Sequence, residues 1–284
     1  MTVINSVGNT VGRLVAAAGD GGERTAAQSA TANLSQMKTV KPSDARAVVL
    51  VAMPDEEEPF LARASAVGDT KSVGLAVHRT IELDGVCVLL VRTGIGLVNA
   101  AGAATSAILA TAVPNGRAEA MLVSAGTAGG IGEAVRVGDL VIGSEHINID
   151  ADARAFGYLF GQVPRMPASY RGNDEAIEAL TTSDFPRQFL PSTVHVGLIT
   201  SSYAFVTPAR ALAIRQALPA VLATDMESVA IAQTSFTHNR RFLSIRAISD
   251  LCGPSAEADF RTHVDDAAER SAGAVAALLA RLPH

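Results

Sequence analysis

An uninterrupted apolar run, Ala47–Val51, constrains the fold of this chain more than any other feature of the sequence. A strand formed by this run would be buried on both faces, as in a parallel sheet that helices cover on each side. Similar strands, interleaved with segments of helical pattern, are predicted as far as the C-terminus. The predicted strands are 47–51, 75–83, 86–91, 120–123, 137–142, 194–200 and 242–248, and the predicted helices are 98–111, 208–218, 229–236 and 256–282.

This alternation predicts one three-layer α/β domain over residues 45–284, with a mixed, largely parallel central sheet flanked by helices. The sheet is expected to be mixed because Asp84-Gly85, between two apolar strands, is a strong signal for an antiparallel hairpin. Residues 1–44 contain few large apolar side chains, so we predict a flexible extension there, with a short helix around 24–37.

Charge and cysteine content exclude several classes of function. The chain has 23 Lys and Arg against 28 Asp and Glu, a net charge of −5, and no basic cluster, which argues against a nucleic-acid or anionic-membrane partner. Its two cysteines, Cys87 and Cys252, lie outside any CxxC pattern, so a reducing cytoplasm is the expected compartment. The sequence also lacks an HExxH-type histidine pair and a Gly-x-Ser-x-Gly elbow, and we predict neither a metal nor a cofactor.

The N-terminus lacks a signal-peptide pattern. No apolar run approaches the roughly 20 residues that a membrane helix needs.

Ligands of sheets of this kind bind beyond the carboxyl ends of the strands, so the motifs that follow predicted strands are the candidate site residues. The first contains three consecutive glutamates, 56–58. They are either acidic residues favoured by a helix N-terminus or a general base with two bystanders. Because adjacent helical residues point in different directions, only one of the three can face a site. We expect the other two to be solvated.

Two glycine-rich motifs follow the next strands. Gly94-Ile95-Gly96 could cradle a phosphate on its backbone N–H groups or form only a tight strand-to-helix turn. The segment 124–130, SAGTAGG, lets the backbone come close to a flat ligand. It lacks the Gly-Lys-Ser/Thr ending of a nucleotide-triphosphate loop.

Two motifs near the C-terminus bring further carboxylates. In Asp225-Met226-Glu227 a carboxylate either caps the following helix or belongs to the site. The segment 246–250, RAISD, places an arginine in an apolar strand, where it needs an acidic partner, and Glu56 and Glu227 are the candidates.

Taken in order, these motifs resemble those of the nucleoside phosphorylase/nucleosidase superfamily, and within it the 5′-methylthioadenosine/S-adenosylhomocysteine nucleosidases. The resemblance begins near Ala47, continues to the C-terminus and leaves out residues 1–44. The segments that carry it are Met53 with Glu56 three residues on, 94–96, 125–130, 137–142, 155–158, 204–206, 225–227 and 246–250.

The resemblance implies hydrolysis of the N-glycosidic bond of a purine nucleoside, with release of adenine, through an oxocarbenium-like transition state. By this resemblance, Asp250 protonates the leaving base at N7 and Ser249 supports it. Glu56 orients and deprotonates the attacking water, with Arg246 and Thr127 nearby.

The resemblance also implies substrate-binding roles. Glu227 would bind the ribose hydroxyls, where its charge would also favour the cationic sugar. Phe205 would stack on the base while the backbone of Val206 reads its edge. Met53 and Met226 would line the ribose.

Phe156 and Tyr158 match positions that reach into the 5′-substituent pocket of a neighbouring subunit, which implies a homodimer. The chain departs from the family pattern at Pro54, 146–149 and 251–255. These departures leave the preferred 5′ group open.

Three alternatives to this hydrolase remain. One is a phosphorolytic enzyme of the same fold, which the two carboxylates Glu56 and Glu227 disfavour because they would repel phosphate. Another is the hydrolysis of a different nucleoside, such as a futalosine-type compound. The last is a non-catalytic storage or binding protein, which has no need of both an acid, Asp250, and a base.

Overall fold

The computed structural model describes residues 41–112, 119–182 and 193–281. The helix predicted around 24–37 and most of the predicted extension lie outside these ranges. The last residues of that extension form a short 3-10 helix, Pro42–Asp44, whose Pro42 carbonyl accepts a hydrogen bond from the N–H of Ala45.

Strands and helices alternate along the described ranges. The strands are β1 (Ala47–Val51), β2 (Ala66–Val73), β3 (Ala76–Leu83), β4 (Val86–Arg92), β5 (Met121–Gly130), β6 (Leu140–Asn148), β7 (Tyr170–Arg171), β8 (Val194–Ser201), β9 (Val221–Asp225) and β10 (Phe242–Asp250). The helices are α1 (Pro54–Arg63), α2 (Leu97–Ala110), α3 (Asp174–Thr181), α4 (Pro208–Ala217), α5 (Ser228–Thr237) and α6 (Ala256–Leu279), with a second 3-10 helix at Arg154–Phe156.

Helices cover both faces of the sheet, which confirms the three-layer prediction. The run that forms β1 is buried throughout. Val49 packs in a core with α1, α3 and α6, whereas Leu50 packs in a second core with α2 and α5. The alternation of a strand's side chains between the two faces explains why this run has no polar residue.

The sheet is mixed, as predicted. β1 pairs in parallel with β4 and with β5, whereas β3 pairs antiparallel with β4 and with β2. The hairpin between β3 and β4 turns at Asp84 and Gly85, whose φ angles are 49° and 79°. Two consecutive residues with positive φ match the turn that the Asp-Gly pair favours.

One half of the sheet closes on itself, which the sequence pattern did not indicate. β10 pairs in parallel with β5 and antiparallel with β6, and the ring continues through β8 and β9 back to β5. Because β10 follows β5 from Leu122 to Gly129, the glycine-rich segment expected to be a loop is the second half of a strand.

Besides the two 3-10 helices, four elements were absent from the sequence prediction: β2, β7, α3 and β9. Seven of the eight residues of β2 are exposed, so its sequence lacks the apolar alternation that marks a half-buried strand. Among the residues that the structure describes, every helix is too short or too polar to span a bilayer.

Candidate active site

A cavity of about 220 Å³ opens at the carboxyl ends of β1, β5, β9 and β10. A smaller cavity of about 40 Å³ continues it towards Val206 and Cys252. The lining residues of the main cavity are Ala52, Met53, Glu56, Ile95, Thr127, Ala128, Gly129, Phe205, Thr224, Asp225, Met226, Glu227, Ser249, Asp250 and Phe260.

Most of the residues that the resemblance singled out meet at this cavity. Eight of them line it: Met53, Glu56, Thr127, Phe205, Met226, Glu227, Ser249 and Asp250. Val206 lines the smaller cavity. Arg246, Phe156 and Tyr158 line neither.

Four hydrogen-bond donors hold the carboxylate of Glu56, which is only 2% exposed. Its Oε1 accepts from the backbone N–H of Thr127 at 2.8 Å and from the hydroxyl of Thr127 at 3.0 Å. Its Oε2 accepts from the N–H groups of Ala52 at 2.7 Å and Met53 at 3.3 Å. Glu56 therefore caps its own helix, α1, and joins that helix to β5.

Gly126 makes this arrangement possible. Its φ is +135°, and a Cβ atom added there would lie 2.3 Å from Oε1 of Glu56. Gly126 therefore lets the backbone of the segment 124–130 come close to the carboxylate of Glu56, a group of the protein itself.

The other two glutamates of the triplet differ from each other. Glu58 is exposed, as expected. The expectation that Glu57 is solvated was wrong: it is buried, with Arg92 at 3.2 Å and Arg79 at 3.9 Å. It connects α1 to β3 and β4, whose arginines lie far along the sequence and leave no local signal.

Glu227 is the second buried carboxylate of the cavity. Its Oε1 accepts from the backbone N–H of Gly96 at 2.9 Å. Of the two possibilities for the Gly94–Gly96 motif, a phosphate cradle and a tight turn, the structure contains a turn whose amide already holds a protein anion. Burial, together with the nearby charges of Asp225 and Glu56, raises the pKa of Glu227 to about 7 against the lowering effects of Arg246 and the hydrogen bond from Gly96.

Arg246 lies behind the cavity wall and is 1% exposed. The sequence suggested Glu56 or Glu227 as its partner, but its nearest carboxylate is Asp225, with 3.0 Å between Nε and Oδ2. Glu227 is more distant, at 3.7 Å from Nη2. The guanidinium of Arg246 does not line the cavity but donates to the carbonyl of Thr127, a lining residue, at 3.3 Å, and its part in catalysis stays a prediction. Burial lowers the pKa of Arg246, but Asp225, Glu227 and Glu56 outweigh that effect and raise it.

Asp225 also lines the cavity, although its sequence motif did not distinguish it from Glu227 as the helix cap. Its Oδ1 accepts from the N–H groups of Glu227 at 3.2 Å and Ser228 at 3.0 Å, so it caps α5. The same oxygen accepts from the hydroxyl of Ser201 at 2.5 Å. Both meanings of the motif 225–227 are thus realised, by different carboxylates: Asp225 caps the helix and Glu227 faces the cavity.

Asp250 ends β10 and is buried at the junction of the two cavities. Its Oδ1 accepts from the N–H of Cys252 at 2.9 Å, and its Oδ2 lies 3.1 Å from the hydroxyl of Ser249. Burial raises the pKa of Asp250, while the hydrogen bonds from Cys252 and Ser249 oppose the shift. A carboxyl group in this setting keeps its proton to higher pH than an exposed one.

The loop that carries Phe205 is attached at two points. The N–H of Tyr203 donates to Asp150 at 2.7 Å, and the hydroxyl of Tyr203 accepts from the N–H of Val98 at 3.1 Å. Phe260 of α6 faces the same cavity and was missed by the sequence analysis, because no motif marks a single aromatic residue within a long helix.

Phe156 and Tyr158 lie in and just after the second 3-10 helix. Phe156 is 83% exposed, and Tyr158 is partly buried. The described residues hold no group of three or more His, Cys, Asp or Glu side chains that could bind a metal ion.

Comparison with known proteins identifies the family. The profile of the Phosphorylase superfamily matches residues 46–282. The 5′-methylthioadenosine/S-adenosylhomocysteine nucleosidase of Geobacillus thermodenitrificans is 35% identical over 237 residues, which cover 82% of this chain and 96% of the relative. The nucleosidase of the same name from Staphylococcus aureus (strain MRSA252) is 36% identical over 196 residues, 69% of this chain and 82% of the relative.

Solved structures agree with this comparison. The crystal structure of the Neisseria meningitidis nucleosidase of that name, in complex with methylthio-immucillin-A, has a TM-score of 0.77 and 36% sequence identity. The match covers 83% of this chain and 99% of that chain. The enzyme from S. pneumoniae, with the transition-state inhibitor MT-ImmA, has a TM-score of 0.75 and 29% identity over 83% of this chain and 99% of that one. From the profile match and these relatives, the chain belongs to the phosphorylase superfamily.

Proposed function

We propose that this protein hydrolyses the N-glycosidic bond of 5′-methylthioadenosine, S-adenosylhomocysteine or both, and releases adenine. The observation that carries the proposal is the meeting of Glu56, Glu227 and Asp250, three of the four buried carboxylates that line the cavity. Relatives that carry this activity in their names, at 35% and 36% identity, support the choice of substrate.

In this proposal Asp250 is the general acid. Protonation of the leaving adenine at N7 removes the negative charge that would otherwise develop on the base. The raised pKa of Asp250 suits this role because the acid must hold a proton before the bond breaks. Ser249, 3.1 Å away, orients the carboxyl group.

Glu56 activates the attacking water. A carboxylate has about four lone-pair sites, and the four donors described above face all of them. One donor must therefore give way to the water. The hydroxyl of Thr127 can do so by rotating about its C–O bond, whereas the three backbone N–H groups cannot, and we assign this exchange to Thr127.

Glu227 accepts hydrogen bonds from the ribose hydroxyls when it is ionised, and its charge stabilises the positive charge that develops on the sugar. The amide of Gly96 holds one of its oxygens from behind. Met53 and Met226 pack against the ribose, and both line the cavity.

The base binds where the two cavities meet, at Phe205 and Asp250, which line both of them. Phe205 stacks on the purine ring, and the backbone of Val206 reads its edge, next to Asp250. We further propose a cytoplasmic homodimer in which Phe156 and Tyr158 of one subunit complete the 5′-substituent pocket of the other.

Water, not phosphate, is the proposed nucleophile. An incoming phosphate would meet Glu56 and Glu227. Its negative charge would be repelled by these two carboxylates at close range, so phosphate binding is disfavoured. The amide of Gly96, which a phosphate could have used, already donates to Glu227. The nearby Arg246 is buried and paired with Asp225.

The test is an assay of the purified protein with methylthioadenosine, S-adenosylhomocysteine, adenosine, inosine and a futalosine-type nucleoside, each with and without phosphate. From methylthioadenosine or S-adenosylhomocysteine we expect adenine and the 5-thioether of ribose with a free hydroxyl at C1. Phosphate should leave the rate of their release unchanged. A sugar 1-phosphate as the main product would refute hydrolysis, and turnover of only the other nucleosides would refute the substrate. Asp250→Asn, prepared in parallel, controls for contaminating host nucleosidase.

A further inference from the structure

A buried ion pair lies next to Glu56 and Glu227, the two carboxylates to which the proposed function assigns the water and the ribose. It consists of Asp225, at the end of β9, and Arg246, in the middle of β10. The side chain of each is only 1% exposed, although Asp225 is among the residues that line the cavity. The guanidinium also donates to the hydroxyls of Ser124 at 2.7 Å and Ser228 at 3.1 Å and to the carbonyl of Thr127 at 3.3 Å.

The pair contacts both sides of the cavity. Arg246 holds the carbonyl of Thr127, whose N–H and hydroxyl hold Glu56. Asp225 accepts from the backbone N–H of Glu227, and Arg246 lies 3.7 Å from the carboxylate of the same residue. One buried pair thus supports the residues assigned to the water and to the ribose.

Two carboxylates compete for the single guanidinium. Asp225 is closer by 0.7 Å, the difference between 3.7 Å and 3.0 Å. It is also fixed, because Ser201, Glu227 and Ser228 donate to its other oxygen. Asp225 therefore forms the shorter ion pair with Arg246, and Glu227 stays on the cavity wall with its Oε1 on the amide of Gly96.

We propose that Asp225 is a positioning residue for the reaction: by pairing with Arg246 it prevents that arginine from drawing the carboxylate of Glu227 away from the ribose. This inference rests on the proposed function, since it concerns the residue that binds the ribose. Asp225 acts through Arg246 and Glu227 and has no contact of its own with the reacting bond.

Removal of the charge tests the idea. In Asp225→Asn, Arg246 loses its nearest anion and is expected to move onto Glu227. The value of kcat/KM for methylthioadenosine should fall by about 10²-fold, as for a misplacement of about 1 Å in an active site. A purely structural role predicts a lower melting temperature with no fall in kcat/KM of the folded variant at pH values above the acid limb.

The pH profile tests the proposal together with the rate. The groups that face Glu227 are Arg246 from β10, Asp225 from β9, Glu56 from α1 and the amide of Gly96 before α2. Loss of the charge of Asp225 and a closer Arg246 both lower the pKa of Glu227. The acid limb of kcat/KM that reports its ionisation should therefore move to lower pH in Asp225→Asn. The buried His146 also senses Asp225 and Arg246, but its pKa, lowered to about 4 by burial, leaves it neutral across the assay range.

Three further variants complete the experiment. Asp225→Glu keeps the charge and should keep the acid limb of the wild type. Ser201→Ala removes one donor to Asp225, leaves every charge in place and should shift the limb in the same direction by less, so it tests the proposal if the asparagine variant does not fold. Asp139→Asn weakens a partly buried pair with His195, at 2.9 Å and outside the cavity wall, and should lower only the melting temperature.

A folded Asp225→Asn with an unshifted acid limb, or with the kcat/KM of the wild type above that limb, would overturn the proposal. So would an unshifted limb in Ser201→Ala if that variant alone folds. Failure of the proposed function is a different result, because then the wild-type protein itself would release no adenine from methylthioadenosine or S-adenosylhomocysteine.

Discussion

Replacement of Glu56 by glutamine should remove both activity and part of the stability of the protein. The carboxylate faces four donors: two from Thr127 at one oxygen, and the N–H groups of Ala52 and Met53 at the other. A glutamine places an NH₂ group against one of these pairs. The hydroxyl of Thr127 can turn and accept, so the amide nitrogen should face Thr127, where a backbone N–H at 2.8 Å from the present oxygen loses its acceptor.

The size of the effect follows from that one unsatisfied group. A buried donor without an acceptor costs about 1–3 kcal/mol. For a domain of this size about 2–4 °C of melting temperature corresponds to each kcal/mol, so we expect a decrease of roughly 2–12 °C. Turnover should fall by about 10²–10⁴-fold, the usual contribution of general base catalysis, since an amide cannot take the proton of the water.

The measurements are adenine release from methylthioadenosine under saturating conditions and thermal unfolding of the same samples. The neighbouring glutamates provide matched controls. Glu57→Gln weakens the ion pairs with Arg92 and Arg79, so it should lower the melting temperature and preserve kcat. Glu58→Gln changes an exposed side chain and should alter neither quantity.

Two results would refute this reasoning. If Glu56→Gln melts at the temperature of the wild type, the N–H of Thr127 has found another acceptor, and the loss of the carboxylate oxygen does not destabilise the protein. If it turns over at the rate of the wild type, another group activates the water. Loss of turnover in a well-folded Glu57→Gln would instead show that Glu57, and not Glu56, activates the water.

Three further predictions concern other parts of the molecule. Gly126→Ala places a methyl group 2.3 Å from Oε1 of Glu56 and should cost about 1–3 kcal/mol in chemical denaturation and most of the activity. Gly102→Ala, a helical control with open space around it, should stabilise by about 0.4–1 kcal/mol, and equal stabilities for the two variants would contradict the steric argument. Asp250→Asn should lower kcat by about 10²–10⁴-fold. Because the raised pKa belongs to a group that works in its acid form, kcat of the wild type should fall as pH rises through that pKa, and a basic limb that persists in the variant would exclude the assignment. Removal of residues 1–40 should leave kcat and melting temperature unchanged, since the family profile begins at residue 46, and aggregation of the shortened chain would show that the segment is structural.

Much of the architecture could be predicted because it depends on local patterns. The buried run of β1, the Asp84-Gly85 hairpin and the Pro208 start of α4 follow from burial on two faces, from positive φ and from the missing N–H of proline, all of which act within a few residues. Edge strand β2 could not be predicted in this way because its side chains are exposed and carry no burial pattern.

The residue types of the site were also visible in the sequence, since carboxylates and glycines follow the strands in order. Their partners were not. Oε1 of Glu56 is held from Thr127, 71 positions away, and Glu227 is held from Gly96, 131 positions away. Nothing in a local pattern distinguishes Glu56 from Glu57, although one faces the cavity and the other faces two arginines.

By itself, the sequence determined the layers of this protein, the order of the site motifs along the chain and the acidic character of the site. Only the tertiary structure decided that β5 and β10 pair along their whole length, that Asp225 is the nearest partner of Arg246, and that Gly126 leaves room for Glu56. The physical reason is that periodicity records whether a side chain is buried. The identity of its neighbour depends on strand order and register, which arise only when distant segments pack together.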